Sequence, residues 1–220
     1  ICFRISNYLF NISRFNYFER GTECGISGYD NYRWLPDLTV GMCSSIIKKL
    51  KVNKKETILD FGCAKGFSVK ALRMLGYKAY GCDVSEYAVS KAPSDIYNFL
   101  TVQTDTSEIL GNFEKYDWIF SKDVLEHIAY DEIDKIIHQF KSQTDNIFIA
   151  VPLGDGEKYI VPDYENDVTH VIRENKDWWL QKFVDAGFEN LEFCYEFPNV
   201  KENWWTKYPL GNLFIYTGRQ

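Results

Sequence analysis

The sequence lacks any Cys-x-x-Cys pair, and its six cysteines (Cys2, Cys24, Cys43, Cys63, Cys82, Cys194) do not cluster with its three histidines. Such spacing fits neither a zinc site nor a small disulfide framework. Cys63 and Cys82 end apolar runs, where reduced cysteine packs as a small apolar residue, so a reducing compartment, the cytoplasm, is expected. Long apolar runs are also missing. The opening stretch ICFRISNYLFNISRF is interrupted by Arg4 and Arg14, too short to span a bilayer, and without a small-residue cleavage site. Its apolar residues at 1, 5, 8, 12 and 15 recur at helical spacing and predict an amphipathic helix packed on the body of the protein. Because the chain begins with Ile1, a preceding segment is expected. Clustered positive charge is absent as well: 25 Lys and Arg stand against 31 Asp and Glu, a net charge of −6. Neutralising a nucleic-acid backbone needs basic clusters, so neither nucleic acid nor a membrane is expected as a partner. Oligomeric state is not readable from these features.

What the chain does have is length for a full core in 220 residues, and 17% aromatic residues, a content that suits an aromatic-lined site. From residue 57 strands and helices alternate. TILDF reads as a buried strand and FSVKALRMLG as a helix stopped at Gly76. KAYGCDV is a second strand, followed by a short helix capped by Ser85 and ended before Pro93. NFLTVQ, YDWIF and NIFIAVP supply strands three to five, with the helix DEIDKIIHQFKSQ between the last two. This alternation predicts a parallel sheet with helices on both faces. After the helix NKDWWLQKFVDAG come FENLEFCYEF and NLFIYTGR, joined by PNVKENWWTKYPLG, which has no helical pattern. Without a crossover helix these two strands are expected to pair antiparallel at one edge. Residues 152–170 form a long loop at the carboxyl end of strand five, where open α/β sheets bind ligands.

The stretch DFGCAKG, residues 60–66, is the turn between strand one and its helix. It does not match GxxxxGK[ST], and its GxxxG spacing, with Ala64 in the middle, is weak for the pyrophosphate of a dinucleotide. S-adenosylmethionine has no phosphate, so it needs only a close backbone approach. Asp60 could accept from its ammonium and Asp83, at the end of strand two, from its ribose hydroxyls. Asp83 alone does not separate this ligand from NAD, which also carries a ribose.

Together ILDFGCAKG, YGCDVSEYAVSKA and YDWIFSKDVLEHI resemble the class I S-adenosylmethionine-dependent methyltransferases over roughly residues 55–195. The resemblance implies a Rossmann-like three-layer α/β sandwich: a mostly parallel seven-stranded sheet with strand seven antiparallel. It divides the chain into an N-terminal helical or lid segment, 1–50, and a methyltransferase domain, 51–220. It places Asp60, Phe61, Gly62, Cys63, Ala64 and Gly66 around the methionine part of the cofactor. Asp83 goes to the ribose and Val84 to the adenine. Asp105 and Thr106 go to the adenine amino group, with a helix cap as the alternative for Asp105. Ser121, Lys122 and Asp123 lie beside the reacting methyl. Lys65 departs from the family's usual Gly or Ser, and its side chain is expected to face solvent.

Segment 21–38, by the same resemblance, is a lid: Tyr29 and Tyr32 over the cofactor, Arg33 and Trp34 toward the acceptor, with a packed surface turn as the alternative. Tyr164, Trp204 and Trp205 are further acceptor candidates, the two tryptophans as a stacking platform for a sugar or base. His127 or His170 is the expected general base, oriented by Asp123 or Glu126, and each histidine has a purely structural hydrogen bond as its alternative. His138 lies mid-helix and is expected to be a surface or packing residue. The acids Asp155, Glu157, Asp163, Glu165 and Asp167 read as a solvated loop, so no metal site is expected. The expected activity is transfer of a methyl group to an oxygen of a small molecule: a sugar, a nucleotide-linked sugar or a related metabolite of surface-polysaccharide or secondary metabolism. An NAD-linked dehydrogenase or epimerase, and a cofactor-binding module without catalysis, remain as rivals.

Overall fold

The structure, a computed structural model, describes residues 13–105 and 109–218, with the Trp205 side chain excepted. The amphipathic stretch proposed for residues 1–15 therefore falls almost wholly outside the described residues, as do Thr106 and the Trp205 side chain.

Seven strands form one sheet: β1 (Thr57–Phe61), β2 (Lys78–Asp83), β3 (Leu100–Val102), β4 (Trp118–Lys122), β5 (Ile147–Pro152), β6 (Leu191–Cys194) and β7 (Asn212–Thr217). Their order is β3-β2-β1-β4-β5-β7-β6, parallel except that β7 runs antiparallel to both β5 and β6. This is the expected architecture, with the antiparallel pair at one edge. The order reverses at β1, whose neighbours are β2 and β4, so the carboxyl ends of these three strands open the crevice where such sheets bind ligands.

The helices are α1 (Arg14–Glu19), α2 (Gly21–Cys24), α3 (Pro36–Lys49), α4 (Phe67–Met74), α5 (Glu86–Ser90), α6 (Ile133–Gln143), α7 (Lys176–Asp185) and α8 (Glu202–Trp205). They cover both faces. On one, Ile136, Ile137 and Phe140 of α6 and Trp179 and Phe183 of α7 pack on Leu59, Ile119 and Ile149. On the other, Cys43, Ile46 and Ile47 of α3 and Val69 and Leu72 of α4 pack on Ile58, Trp118 and Phe148. Helix α3 thus shares the sheet's core, although it lies within the first fifty residues. Ser85 caps α5 by accepting from the Ala88 N–H at 3.1 Å, as its position predicts. Two details differ from the sequence reading. The stretch before β3 winds into one turn of 3-10 helix (Tyr97–Phe99), and the loop before β7 contains α8, started by Lys201 at φ 56°. Among the described residues no helix is long and apolar enough to cross a membrane.

Candidate functional site

The turn after β1 is built from left-handed backbone: Gly62, Ala64 and Gly66 have φ of 77°, 50° and 74°. Gly62 must be glycine for a second reason. A Cβ there would lie 2.4 Å from Cγ2 of Val124, so the turn and the segment after β4 can approach only without a side chain. Ala64 keeps its strained conformation because its N–H donates to Asp83 Oδ2 at 2.8 Å, while Ser85 N–H donates to Oδ1 at 2.7 Å. Asp83 therefore fastens the turn as well as facing the crevice.

Three adjoining cavities meet at Gly62. An apolar one runs between Val84, Val124 and Ile128. The middle one lies between Asp83, Asp123, His127 and Thr169, roofed by Tyr17, Phe18 and Tyr29 of the N-terminal segment. The third lies between Asp60, Lys122 and Asp123 on one side and Tyr32 and Arg33 on the other. Burial, then the nearby Asp83 charge, pushes the Asp60 carboxyl up to about 7, against the pull of Lys122. Burial also raises Asp83, although its two backbone N–H partners oppose this.

The structure brings together Asp60, Phe61, Gly62, Cys63, Ala64, Asp83, Val84, Lys122, Asp123, His127, Tyr29, Tyr32 and Arg33 as lining of these cavities. It places others elsewhere. Gly66 caps α4, where an added Cβ would meet Ile96 and Leu100. Ser121 is buried, outside the lining of the three cavities. Asp105 accepts the Gln103 side-chain amide at its backbone oxygen, and Gln103 itself lines the apolar cavity. Trp34 packs on Phe67 with Lys70 over its ring. Tyr164 and Trp204 pack together, their ring centroids 5.8 Å apart. His138 is exposed and its Nδ1 meets the Asp134 carbonyl.

Lys65 corrects the sequence reading. It does not face solvent: only 7% of its surface is exposed, and its ammonium pairs with Glu19 at 2.5 Å and donates to the Tyr32 carbonyl at 2.6 Å. A long side chain at that point is used to hold the N-terminal segment against the turn.

Asp123, itself at φ 56°, lies between two lysines: Lys122 at 2.5 Å and Lys201, with which it forms a second ion pair. Burial would raise its carboxyl, but the two cations outweigh that and hold it well below the usual carboxylate range. Lys201 also donates to Tyr164 Oη and Asn212 Oδ1. Glu126, one turn further on, is pushed up to about 8, by burial first and then by Asp123.

His127 Nδ1 lies 2.7 Å from Thr169 Oγ1, and that hydroxyl donates to Asp167 Oδ1 at 2.5 Å. The hydroxyl proton being committed, His127 Nδ1–H is the donor and Nε2 of the neutral ring keeps its lone pair. Asp167 Oδ2 also accepts from Tyr17, which ties the relay to the N-terminal segment. Burial lowers the His127 pKa, with the Asp167 and Asp123 charges opposing; burial and then His127 lower His170 to about 4. Thr169, Lys201 and Tyr17 escaped the sequence reading. Asp167-x-Thr169 is a pattern whose side chains bond nearby backbone and could have singled out Thr169; Lys201 and Tyr17 leave no local signal.

Comparison with known proteins bears on the family and the fold. The methyltransferase domain family matches residues 39–198. No curated protein sequence matches the chain. Among solved structures, a SAM-dependent methyltransferase from Archaeoglobus fulgidus superposes with a TM-score of 0.63 at 15% identity, covering 84% of this chain and 95% of that one. A TehB-like SAM-dependent methyltransferase from Corynebacterium glutamicum gives 0.56 at 15%, covering 80% and 88%. Phosphoethanolamine N-methyltransferase 2 of Haemonchus contortus, in complex with S-adenosyl-L-methionine, gives 0.59 at 18%, covering 81% of this chain and 52% of that one. With this seven-stranded sheet and a family match across most of its length, the chain belongs to the methyltransferase domain family and has the class I methyltransferase fold.

Proposed function

We propose that this protein transfers the methyl group of S-adenosylmethionine to an oxygen of a small acceptor. The observation that carries the reading is the charge around the turn after β1. Asp60, Asp83 and Asp123 all line the cavities that meet at Gly62. Asp123 is offset by Lys122 and Lys201, which leaves Asp60 and Asp83, whose carboxyl groups disfavour a pyrophosphate and favour a ligand bearing a sulfonium and an ammonium. This disfavours NAD, and the cofactors named for the similar structures support the choice. In this reading the adenine takes the apolar cavity against Val84, Asp83 meets the ribose, and Asp60 receives the ammonium. Lys122 faces the amino-acid carboxylate.

The acceptor approaches from the side of Asp123, His127 and Thr169. Tyr17, Phe18 and Tyr29, which line the middle cavity, serve in this reading as a lid over a small acceptor. Arg33 at the third cavity suits a sugar or nucleotide-linked sugar. In the reaction the acceptor oxygen's lone pair forms the bond to the methyl carbon, and the C–S bonding pair stays on sulfur, which leaves as the neutral thioether. The hydroxyl proton departs past the histidine wall of the cleft to water. Holding oxygen, carbon and sulfur in line supplies most of the acceleration, an effective molarity on the order of 10⁵ M or more.

Calorimetric titration with S-adenosylmethionine and with NAD tests the cofactor: binding of NAD alone overturns the reading. Asp83→Ala should abolish S-adenosylmethionine binding. Turnover to S-adenosylhomocysteine with a panel of nucleotide sugars tests catalysis, and its absence with every acceptor class would favour a cofactor-binding module.

A further inference from the structure

The carboxylate of Glu126 presents a problem that the cofactor does not solve. The side chain is 1% exposed, and among the described residues neither Oε1 nor Oε2 has a hydrogen-bond partner. A buried carboxyl group left this way costs several kcal/mol unless a proton or a cation satisfies it.

Two of the three histidines of the chain stand beside it. One potential ligand atom from each of Glu126, His127 and His170 lies within 4.8 Å of the others. The imidazole rings are 4.6 Å apart between centroids, and His170 Nε2 is 4.0 Å from Glu126 Oε1. Both rings are already oriented. His170 Nδ1 meets the Tyr164 carbonyl at 2.8 Å, which can only accept, so Nδ1 carries the hydrogen and Nε2 the lone pair. The Asp167–Thr169 relay fixes His127 in the same tautomer. Backbone bonds hold the two segments in register: the N–H groups of Val171 and Ile172 both donate to the Glu126 carbonyl, at 2.9 and 3.0 Å. Asp167 also lies 3.9 Å from His170 Nε2, but its oxygens already accept from Tyr17, the Thr169 hydroxyl and the Thr169 N–H. It is a supporting carboxylate behind a ligand histidine, an arrangement common around metal sites.

From this juxtaposition we infer that Glu126, His127 and His170 bind a divalent first-row transition cation such as Zn²⁺, Fe²⁺ or Co²⁺. Two imidazoles and one carboxylate are the donor set such ions take. Bonds of about 2.1 Å bring ligand atoms to roughly 3.3 Å from one another, so the ion draws the carboxylate and His170 together by less than about 1 Å. Three protein ligands leave a position for water or for an acceptor oxygen. For its role the inference rests on the methyltransferase reading: His127 lines the cleft, so the ion lies on the wall past which the acceptor's proton departs. A bound hydroxyl is more acidic, and His127 then serves as a ligand and not as a free base.

The test is metal uptake by the full chain after dialysis against a chelator, followed by calorimetry with Zn²⁺ and by visible absorption with Co²⁺. Wild type should take up one equivalent with the ligand-field bands of nitrogen and oxygen coordination. Glu126→Gln and His170→Asn should each weaken binding by more than the roughly 10–100-fold that loss of a supporting partner costs. His138→Asn, at an exposed position, should bind as wild type. Far-ultraviolet dichroism establishes that each variant is folded, and either variant alone suffices. No uptake by wild type, or unchanged uptake in a folded Glu126→Gln or His170→Asn, overturns the inference. S-adenosylmethionine titrated into the same samples reads the methyltransferase assignment separately: cofactor binding without metal uptake sinks only the metal site, and metal uptake without cofactor binding sinks only the reading on which its role rests.

Discussion

Lys65, in the turn after β1, and Glu19, at the end of α1, form an ion pair of 2.5 Å that clasps the N-terminal segment over the cleft. Tyr87 donates to the same carboxylate at 2.9 Å, and Lys65 reaches the Tyr32 carbonyl. The pair is largely shielded, with 9% and 19% of the side chains exposed, so it is worth more than a surface bridge. We expect Lys65→Met to loosen the N-terminal segment by about 1–3 kcal/mol. Hydrogen exchange across residues 14–34 should accelerate, and cofactor affinity should fall by roughly 5–100-fold. Unchanged exchange in that segment would show that the clasp does not hold it.

The same clasp has a pH dependence of known sign. Burial would raise Glu19, but the hydrogen bonds from Lys65 and Tyr87 outweigh it and lower its pKa. A carboxylate depressed on folding stabilises above its unfolded value, about 4.3, and that contribution disappears as pH falls through the folded value. Wild type and Lys65→Met should therefore differ in hydrogen exchange across residues 14–34 at neutral pH and converge in acid. A difference that grows on acidification would contradict the assignment.

How much of this was legible beforehand follows the range of the interactions. The run TILDF, the glycines after it and the cap at Ser85 are local signals, and they located β1, its turn and α5 within a residue or two. Asp60, Gly62 and Asp83 were legible because strand ends and glycines mark the crevice of a parallel sheet. Lys65 was misread because its partner lies 46 positions away, and nothing local distinguishes a lysine that reaches Glu19 from one that reaches water. The Thr169 relay spans 42 positions to His127 and was invisible for the same reason. Helix α8 has only four residues and starts at a left-handed lysine, so no period could reveal it.

Asp60 gives cofactor binding a pH profile. Its carboxyl, raised to about 7, is largely protonated in slightly acid solution, yet it must be ionised to receive an ammonium. S-adenosylmethionine affinity should therefore be highest above about pH 7 and fall by up to roughly tenfold per unit below it. Calorimetry at about pH 6 in buffers of different ionisation enthalpy should register proton release on binding. Asp60→Asn should bind more weakly and with a shallower pH slope. An equally steep profile in that variant would assign the proton to another group.

Gly62 and Gly25 make a controlled comparison of backbone strain against collision. Both have left-handed φ, 77° and 63°, but among the described residues an added Cβ at Gly25 has nothing within 4 Å, whereas at Gly62 it meets Val124 at 2.4 and 2.6 Å. Gly25→Ala should cost about 1 kcal/mol in denaturant unfolding, the backbone term alone. Gly62→Ala should cost about 1–3 kcal/mol more, because Val124 or the turn must move. It should also weaken cofactor binding, since Val124 lines the apolar cavity. Equal losses in the two variants would mean that Val124 yields freely.

Lys201 anchors the loop before β7 to Asp123, and the magnitude of its effect is bounded by Lys122. Removing one partner of a buried ion pair costs about 3–5 kcal/mol when the other charge is left bare. Asp123 would keep Lys122, so Lys201→Met should cost less, roughly 1–3 kcal/mol at neutral pH. The sign of the pH dependence follows from the depressed Asp123 carboxyl. Its stabilisation is complete above the unfolded value, about 3.9, and is lost as pH falls through the lower folded one. Urea unfolding of wild type and Lys201→Met at pH about 7 should therefore differ clearly, and at pH about 2 the two curves should draw together. Lys201 also donates to Tyr164 and Asn212, bonds that do not titrate in this range, so a small difference should survive in acid. If the full difference persists there, those neutral bonds, and not the pair with Asp123, hold the loop.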